Sequence, residues 1–188
     1  AKVYAKKIVK RLNEIGYDVQ VFLLNGATMG VPQIRERSFF IGLRKDFHLP
    51  KLVLNFNEAP ILFKEIKDAS GEPITGEKTL LAWKNRRPTD EDLADTNIRV
   101  LGKESNFNTK YAKDNQILKT ITASAQMILY SDPVKMSMSE MLKAATFPID
   151  YQAPNERVLF LTGMSVAPLM SAQISYQIYK QWLSKINK

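Results

Sequence analysis

The 188-residue sequence has no cysteine, which excludes disulfides, thiolate zinc sites and any cysteine nucleophile supplied by these residues. Its one histidine, His48, lies in a linker-like stretch beside Pro50, so neither a metal site nor histidine acid–base chemistry is expected. No apolar run approaches the ~20 residues that cross a bilayer. The opening Ala1-Lys2-Val3-Tyr4 lacks the apolar core of a signal peptide. A cytoplasmic location without membrane or metal partners is therefore expected. Acidic charge is scarce as well: 19 Asp and Glu face 27 Lys and Arg, a net charge of +8. Such an excess favours polyanions, because each phosphate neutralised by Lys or Arg releases condensed counterions. With 45% hydrophobic and 10% aromatic residues, the chain can bury a core rather than stay disordered.

Residues 2–15 read as an amphipathic helix, with Tyr4, Ile8, Leu12 and Ile15 on one face and Lys6, Lys7, Lys10 and Arg11 elsewhere. Gly16 follows where a left-handed cap is wanted. The runs 18–24 and 38–43 are strand-like, and Asn25-Gly26 and Gly30-Val31-Pro32 mark a long turn between them. Helix, strand, loop and strand in this order fit the end of an α/β sheet, not a whole one. From about Asp46 to Asp132 the periodicity weakens, and Pro50, Pro60, Pro73 and Pro88 interrupt it. This segment is read as irregular, with a short helix at 59–68 and short strands at 97–101 and 117–130. Irregular chain with scattered basic residues suits a surface that fits another molecule. Ser137-Met138-Ser139-Glu140 has the form of a capping box and opens a helix to about Ala145. A last helix begins at Val166-Ala167-Pro168 and runs to about Ile186, with Leu169, Ala172, Tyr176, Tyr179 and Leu183 as its apolar face.

Three blocks occur in order. Gly30-Val31-Pro32-Gln33-Ile34-Arg35-Glu36-Arg37 leads into Ser38-Phe39-Phe40-Ile41-Gly42. Met136-Ser137-Met138-Ser139-Glu140 runs on to Phe147-Pro148, and Gly163-Met164-Ser165-Val166-Ala167-Pro168 follows. Together they resemble the later conserved blocks of DNA cytosine-5 methyltransferases: Val-Pro-Gln-x-Arg-x-Arg, Leu-Thr-x-x-Glu…Phe-Pro and Gly-Asn-x-Val-x-Pro. Lys119-Thr120-Ile121-Thr122-Ala123-Ser124 resembles the threonine-hydrophobic dipeptide of that family's target recognition domain. Met164 stands where the family usually has asparagine, Lys143 where it has arginine, and Ala144-Ala145 replace leucine and glutamine. These departures put a polar contact at Met164 in doubt. The family's Pro-Cys nucleophile, its Glu-Asn-Val block and its Gly-x-Gly cofactor turn are absent from these residues.

The resemblance implies a mixed α/β fold: an incomplete Rossmann-like methyltransferase sheet plus a small, irregular target recognition domain. Residues 1–45 would end the catalytic domain, 46–132 would form the recognition domain, and 133–188 would return to the catalytic domain as helices. Alone, the 1–45 hairpin would leave an unpaired edge and an apolar face, so self-association is expected. The implied activity is transfer of a methyl group from S-adenosylmethionine to cytosine C5 in double-stranded DNA, as in restriction–modification systems. This chain would be inactive without an N-terminal half. It would be either a piece of a longer protein or the small subunit of a split enzyme, and a non-catalytic DNA-binding module is the alternative. In the family a thiolate adds to C6 and charge develops at N3 and O2. Arg37 would stabilise that charge at O2, since guanidinium stays ionised and donates in a fixed fork. Arg35 would support the neighbouring catalytic loop. Met164, Ser165 and Val166 would complete the cofactor pocket. Thr120 and Ile121 would pack near the base extruded from the duplex. Lys84, Arg86, Arg87, Arg99, Lys103, Lys110 and Lys113 are candidate contacts to phosphates and base edges.

Overall fold

The computed structural model describes residues 2–186 apart from 104, 107, 149 and 153. The amphipathic N-terminal segment forms helix α1 (Lys2–Glu14), closed by Gly16 in the left-handed region at φ 96°. Strands β1 (Tyr17–Asn25) and β2 (Glu36–Arg44) then pair antiparallel, from Tyr17 opposite Arg44 to Asn25 opposite Glu36. Between them lies a 3-10 turn at Gly26–Met29, capped by Gly30 at φ 76°. The Asn25 side chain accepts from the amides of Ala27 (3.1 Å) and Arg35 (3.2 Å), so one residue closes both ends of the loop.

The segment between hairpin and C-terminal helices carries more helix than its sequence suggests. Helices α2 (Glu77–Lys84) and α3 (Leu93–Leu101) precede a short parallel pair, β3 (Tyr111–Ala112) with β4 (Ile128–Leu129). The strand expected at 97–101 is thus the end of α3. Asp92 caps its start by accepting from the Asp95 amide, and Gly102 closes it at φ 64°. Those caps outweigh the strand preference of Ile98 and Val100. The helix expected at 59–68 shrinks to one 3-10 turn, Phe63–Glu65. There the Phe63 and Lys64 amides donate to the carbonyls of Gln116 and Asp114 instead of continuing a helix. Of the strand expected at 117–130 only β4 and a bridge at Leu118 form.

After Met136 come α4 (Met138–Ala144), α5 (Asn155–Met164) and α6 (Pro168–Ile178), which continues through a π turn, Tyr179–Leu183, into α7 (Ser184–Ile186). The Ser137–Glu140 capping box forms as the sequence suggests. Helix α5 was not expected from the sequence. The last helix presents Met170, Ile174 and Trp182 inward, while Tyr176, Tyr179 and Leu183 of its expected apolar face are exposed. The helix is apolar on two sides, and the sequence pattern alone does not say which one is covered. Residues 157–186 together are long and apolar enough to cross a membrane, which corrects the expectation that no stretch approaches such a span. In this fold they break at Ser165–Ala167 and pack into two different cores.

One core joins Met29 and Val31 to Ala167, Met170 and Ile174, with Leu24, Phe39 and Ile41 packed against it, so α6 lies on the hairpin. Another joins Phe63, Leu118, Ile121 and Leu129 to Met136, Met141 and Val158. A strap at 50–54 crosses between β1 and the π turn, held by glutamines instead of strands. Gln20 exchanges hydrogen bonds with both the N–H and C=O of Leu52 (2.7 and 2.9 Å), and Gln181 does the same for Val53 (2.9 and 2.8 Å). Gly71 is fixed by the close approach of its backbone to Lys135, whose carbonyl oxygen would lie 1.8 Å from an added Cβ.

A buried network holds α3. Asp90 accepts from both terminal nitrogens of Arg99 (3.0 and 2.8 Å), from Thr96 Oγ1 (2.7 Å) and from the Arg87 amide (2.9 Å). The Arg99 hydrogen bonds, with those from Arg87 and Thr96, hold the Asp90 carboxyl well below the usual carboxylate range against the cost of burial. A depressed folded pKa adds stability above the unfolded value of 3.8 and loses it as pH falls below that value. Asp90→Ala is expected to cost about 3 kcal/mol at pH 6, because it strands Arg99 and Thr96. In urea titrations the difference between wild type and Asp90→Asn should shrink by about 1 kcal/mol from pH 6 to pH 3.

Candidate functional site

The buried loop Val31–Arg35 leads into β2, and the other blocks converge on it. Gln33 is fully buried; its Nε2 donates to the Ala144 carbonyl at the end of α4 (2.9 Å), and its Oε1 accepts from the Ile121 amide (3.3 Å). Ile34 donates its amide to Leu118 O (2.8 Å) and accepts from Thr120 Oγ1 (2.6 Å). Thr146, left-handed at φ 56°, accepts the Leu169 amide at the start of α6 through its hydroxyl (3.2 Å).

Arg35 completes the junction. Its side chain is only 1% exposed. Nε and NH2 donate to Ser165 O (3.0 and 2.6 Å), NH2 to Gly163 O (2.7 Å), and NH1 to Ile121 O (3.2 Å). A buried cation without a carboxylate is expensive unless dipoles replace its water. Here the carbonyls at the C-terminal end of α5, the negative end of its dipole, supply that replacement. Burial, and secondarily the neighbouring Arg37, lower the Arg35 pKa to about 10, so it stays protonated at neutral pH. The same junction explains Gly163: an added Cβ would lie 2.3 Å from the Ala123 amide nitrogen. Gly163 thus allows α5 to touch the Thr122-Ala123 backbone.

Arg37, two residues on, is half-buried and takes part in no ion pair among the described residues; its NH1 donates to the carbonyl of exposed Glu36 (2.7 Å). Arg35 and Arg37 therefore differ in kind: the first is tied into this chain, the second keeps donors open to an incoming group. At the α5–α6 joint Met164 and Val166 are exposed, and the buried Ser165 hydroxyl has no hydrogen-bond partner among the described residues. Thr120 is half-buried. Ile121, expected beside an extruded base, is 1% exposed and belongs to the core; its backbone, not its side chain, meets the junction.

The basic candidates separate into two groups. Arg86 is sandwiched by aromatic rings, 3.6 Å from the Trp83 centroid and 4.7 Å from that of Tyr130, and donates to both residues' carbonyls. Arg99 is held by Asp90, Lys110 pairs with Asp92 (2.6 Å), and Lys113 pairs with Glu91 (3.1 Å). These four shape the region from within. Lys84, Arg87 and Lys103 are exposed. Sequence reasoning missed Glu91, Asp90 and Asp92; their signal was an acidic triplet inside a basic segment. Among the described residues no group of His, Asp and Glu could hold a metal ion.

Arg35→Ala is expected to destabilise the fold by about 3 kcal/mol or more, since it leaves buried carbonyls unpaired. Arg37→Ala should stay within about 0.5 kcal/mol of wild type. Urea unfolding followed by Trp fluorescence separates the two; equal effects would contradict the division of roles.

Residues 1–180 match the family described as C-5 cytosine-specific DNA methylase. The chain is 34% identical over 87 residues to the type II methyltransferase M.FnuDI of Fusobacterium nucleatum, covering 46% of this chain and 24% of that protein. It is 29% identical over 114 residues to M.MthTI of Methanothermobacter thermautotrophicus, covering 60% and 32%. The chain thus matches about a quarter to a third of the length of these relatives. Among solved structures, a prophage-encoded E. coli protein described as a DNA modification methyltransferase superposes with a TM-score of 0.67 at 15% identity, covering 100% of this chain and 67% of that one. DNMT2 of Spodoptera frugiperda gives 0.61 at 13%, covering 91% and 60%. These likenesses show a methyltransferase fold of mixed α/β type. The chain belongs to the C-5 cytosine-specific DNA methylase family.

Proposed function

We propose that this chain is the C-terminal, target-recognising part of a DNA cytosine-5 methyltransferase of the restriction–modification kind, acting in the cytoplasm on double-stranded DNA. In this reading 1–45 and 133–188 belong with the catalytic domain, and 46–132 form the recognition domain. The observation that carries the reading is the junction at Gln33 and Arg35, where the hairpin block, the Thr120–Ala123 segment and the α5–α6 joint meet through hydrogen bonds. Motifs far apart in sequence are drawn to one place, beside the open guanidinium of Arg37.

In this role Arg37 is a preorganised donor for negative charge developing on the O2 of a bound cytosine, the kind of interaction that contributes most to catalysis in a dry site. The α5–α6 joint fits the rim of a cofactor site: exposed Met164 and Val166 offer apolar contact there. S-adenosylmethionine supplies the methyl group when bound. The nucleophile and the rest of that pocket come from an N-terminal half, because these 188 residues hold no cysteine. Two apolar surfaces support such a partner: Tyr4 and Ile8 on α1 with Ile15 just past its end, and Tyr176, Tyr179 and Leu183 on the last helix, all exposed. A non-catalytic DNA-binding module is the second reading, favoured by the internal ion pairs that stiffen the recognition region.

Mixed with an N-terminal half carrying Pro-Cys, Glu-Asn-Val and the glycine-rich turn, the chain should support methyl transfer to duplex DNA, scored with labelled S-adenosylmethionine. Arg37→Ala should lower the rate by roughly 100-fold or more and change duplex affinity only a few-fold. A folded complex that stays inactive would favour the module reading.

A further inference from the structure

A cleft of about 400 Å³ opens between the hairpin block and the recognition region, lined by Ile34, Glu91, Lys110, Lys119, Thr120 and Thr122. Its floor is fixed, since both the N–H and the C=O of Ile34 are engaged by the 118–120 segment. Glu91 is fixed too. Its amide donates to Asp95 (2.7 Å) and its carbonyl accepts from Tyr111 (3.1 Å). One carboxylate oxygen takes a hydrogen bond from Lys113 (3.1 Å), whose side chain is 10% exposed and also donates to Pro88 O (2.9 Å). The other faces Lys119 at 3.3 Å, with side-chain exposures of 44% for Glu91 and 46% for Lys119.

The two lysines are therefore not equivalent. Lys113 is a buried anchor, and Lys119 is an exposed counterion. An exposed pair contributes roughly 0–1 kcal/mol and is readily exchanged. Against burial, the hydrogen bonds from Lys113 and Lys119 keep the Glu91 carboxyl below its ordinary range, so the acceptor is ionised at neutral pH. A phosphate that draws Lys119 away would uncover a carboxylate oxygen, held from its other side by Lys113, in the lining of the cleft. A carboxylate can only accept, and in the major groove of a C·G pair the donor is the exocyclic amino group of cytosine.

We propose that Glu91 determines sequence specificity, accepting a hydrogen bond from a cytosine amino group in the major groove once Lys119 has moved to the backbone. This rests on the reading that the chain recognises duplex DNA. The test is selection of the 188-residue chain on a random-sequence duplex pool, read by sequencing. Glu91→Gln can both donate and accept, and should shift one position from C·G toward A·T by at least about fivefold. Glu91→Asp, which keeps the charge and shortens the reach, should flatten that position. Lys119→Met should keep the preference, weaken binding to all sequences alike and lower the salt slope by roughly one. Unchanged selection by both Glu91 variants, with binding retained, would overturn the assignment of Glu91 alone. A wild-type chain that selects no sequence would instead remove the recognition reading, and this inference with it.

Discussion

The fold turns on a guanidinium without a carboxylate. Arg35 is stripped of water and held by the carbonyls of Ile121, Gly163 and Ser165. A buried cation satisfied this way constrains every backbone that supplies an oxygen, because losing any one leaves charge undersolvated. The segment around Ile121, the end of α5 and the hairpin loop are thereby fixed to one point. Gly163 permits the closeness and Gln33 repeats the device with neutral groups. Geometry at Arg37, two residues away, inherits this rigidity, as its proposed role of preorganised donor would require.

What was legible in the sequence follows from how local each signal is. Gly16, Ser137 and Glu140 act within a turn of their own helices, and the structure places caps at each. The alternating pattern of the hairpin is also local, and β1 and β2 form about where it predicts. The segment 46–132 was misread because its structure is decided at long range. Phe63 and Lys64 are drawn out of a helix by Gln116 and Asp114, and Ile98 is helical because Asp92 and Gly102 cap its segment. The site divides the same way. A motif could mark Arg35 and Arg37 as a pair, but only packing shows that one is a strut and the other a free donor.

The net charge of +8 suggests a broad basic face, yet many of the cations between residues 46 and 132 are internally occupied. Arg86 lies between Trp83 and Tyr130, Arg99 against Asp90, Lys110 against Asp92, and Lys113 against Glu91. Such groups contribute shape rather than attraction. In the proposed role, non-specific affinity would fall to the exposed set, including Lys84, Arg87 and Lys103, and discrimination to groups at the cleft. That separation suits a surface where phosphates position and base edges specify.

The uncovered apolar faces have a consistent logic. On α1 Tyr4 and Ile8 are exposed, as is Ile15 just past its end, although Ala5, Val9 and Leu12 beside them are half-buried. On the last helix the inward side packs on the hairpin while Tyr176, Tyr179 and Leu183 stand free. A helix apolar on both sides is built to be sandwiched, since water on either side forfeits roughly 25 cal/mol per Å². These two elements flank a hairpin whose outer edges have no strand partner among the described residues. In the proposed reading, these helices and the two-stranded ribbon would form the margin of a larger layered sheet, with Arg37 on the strand where the two pieces would meet.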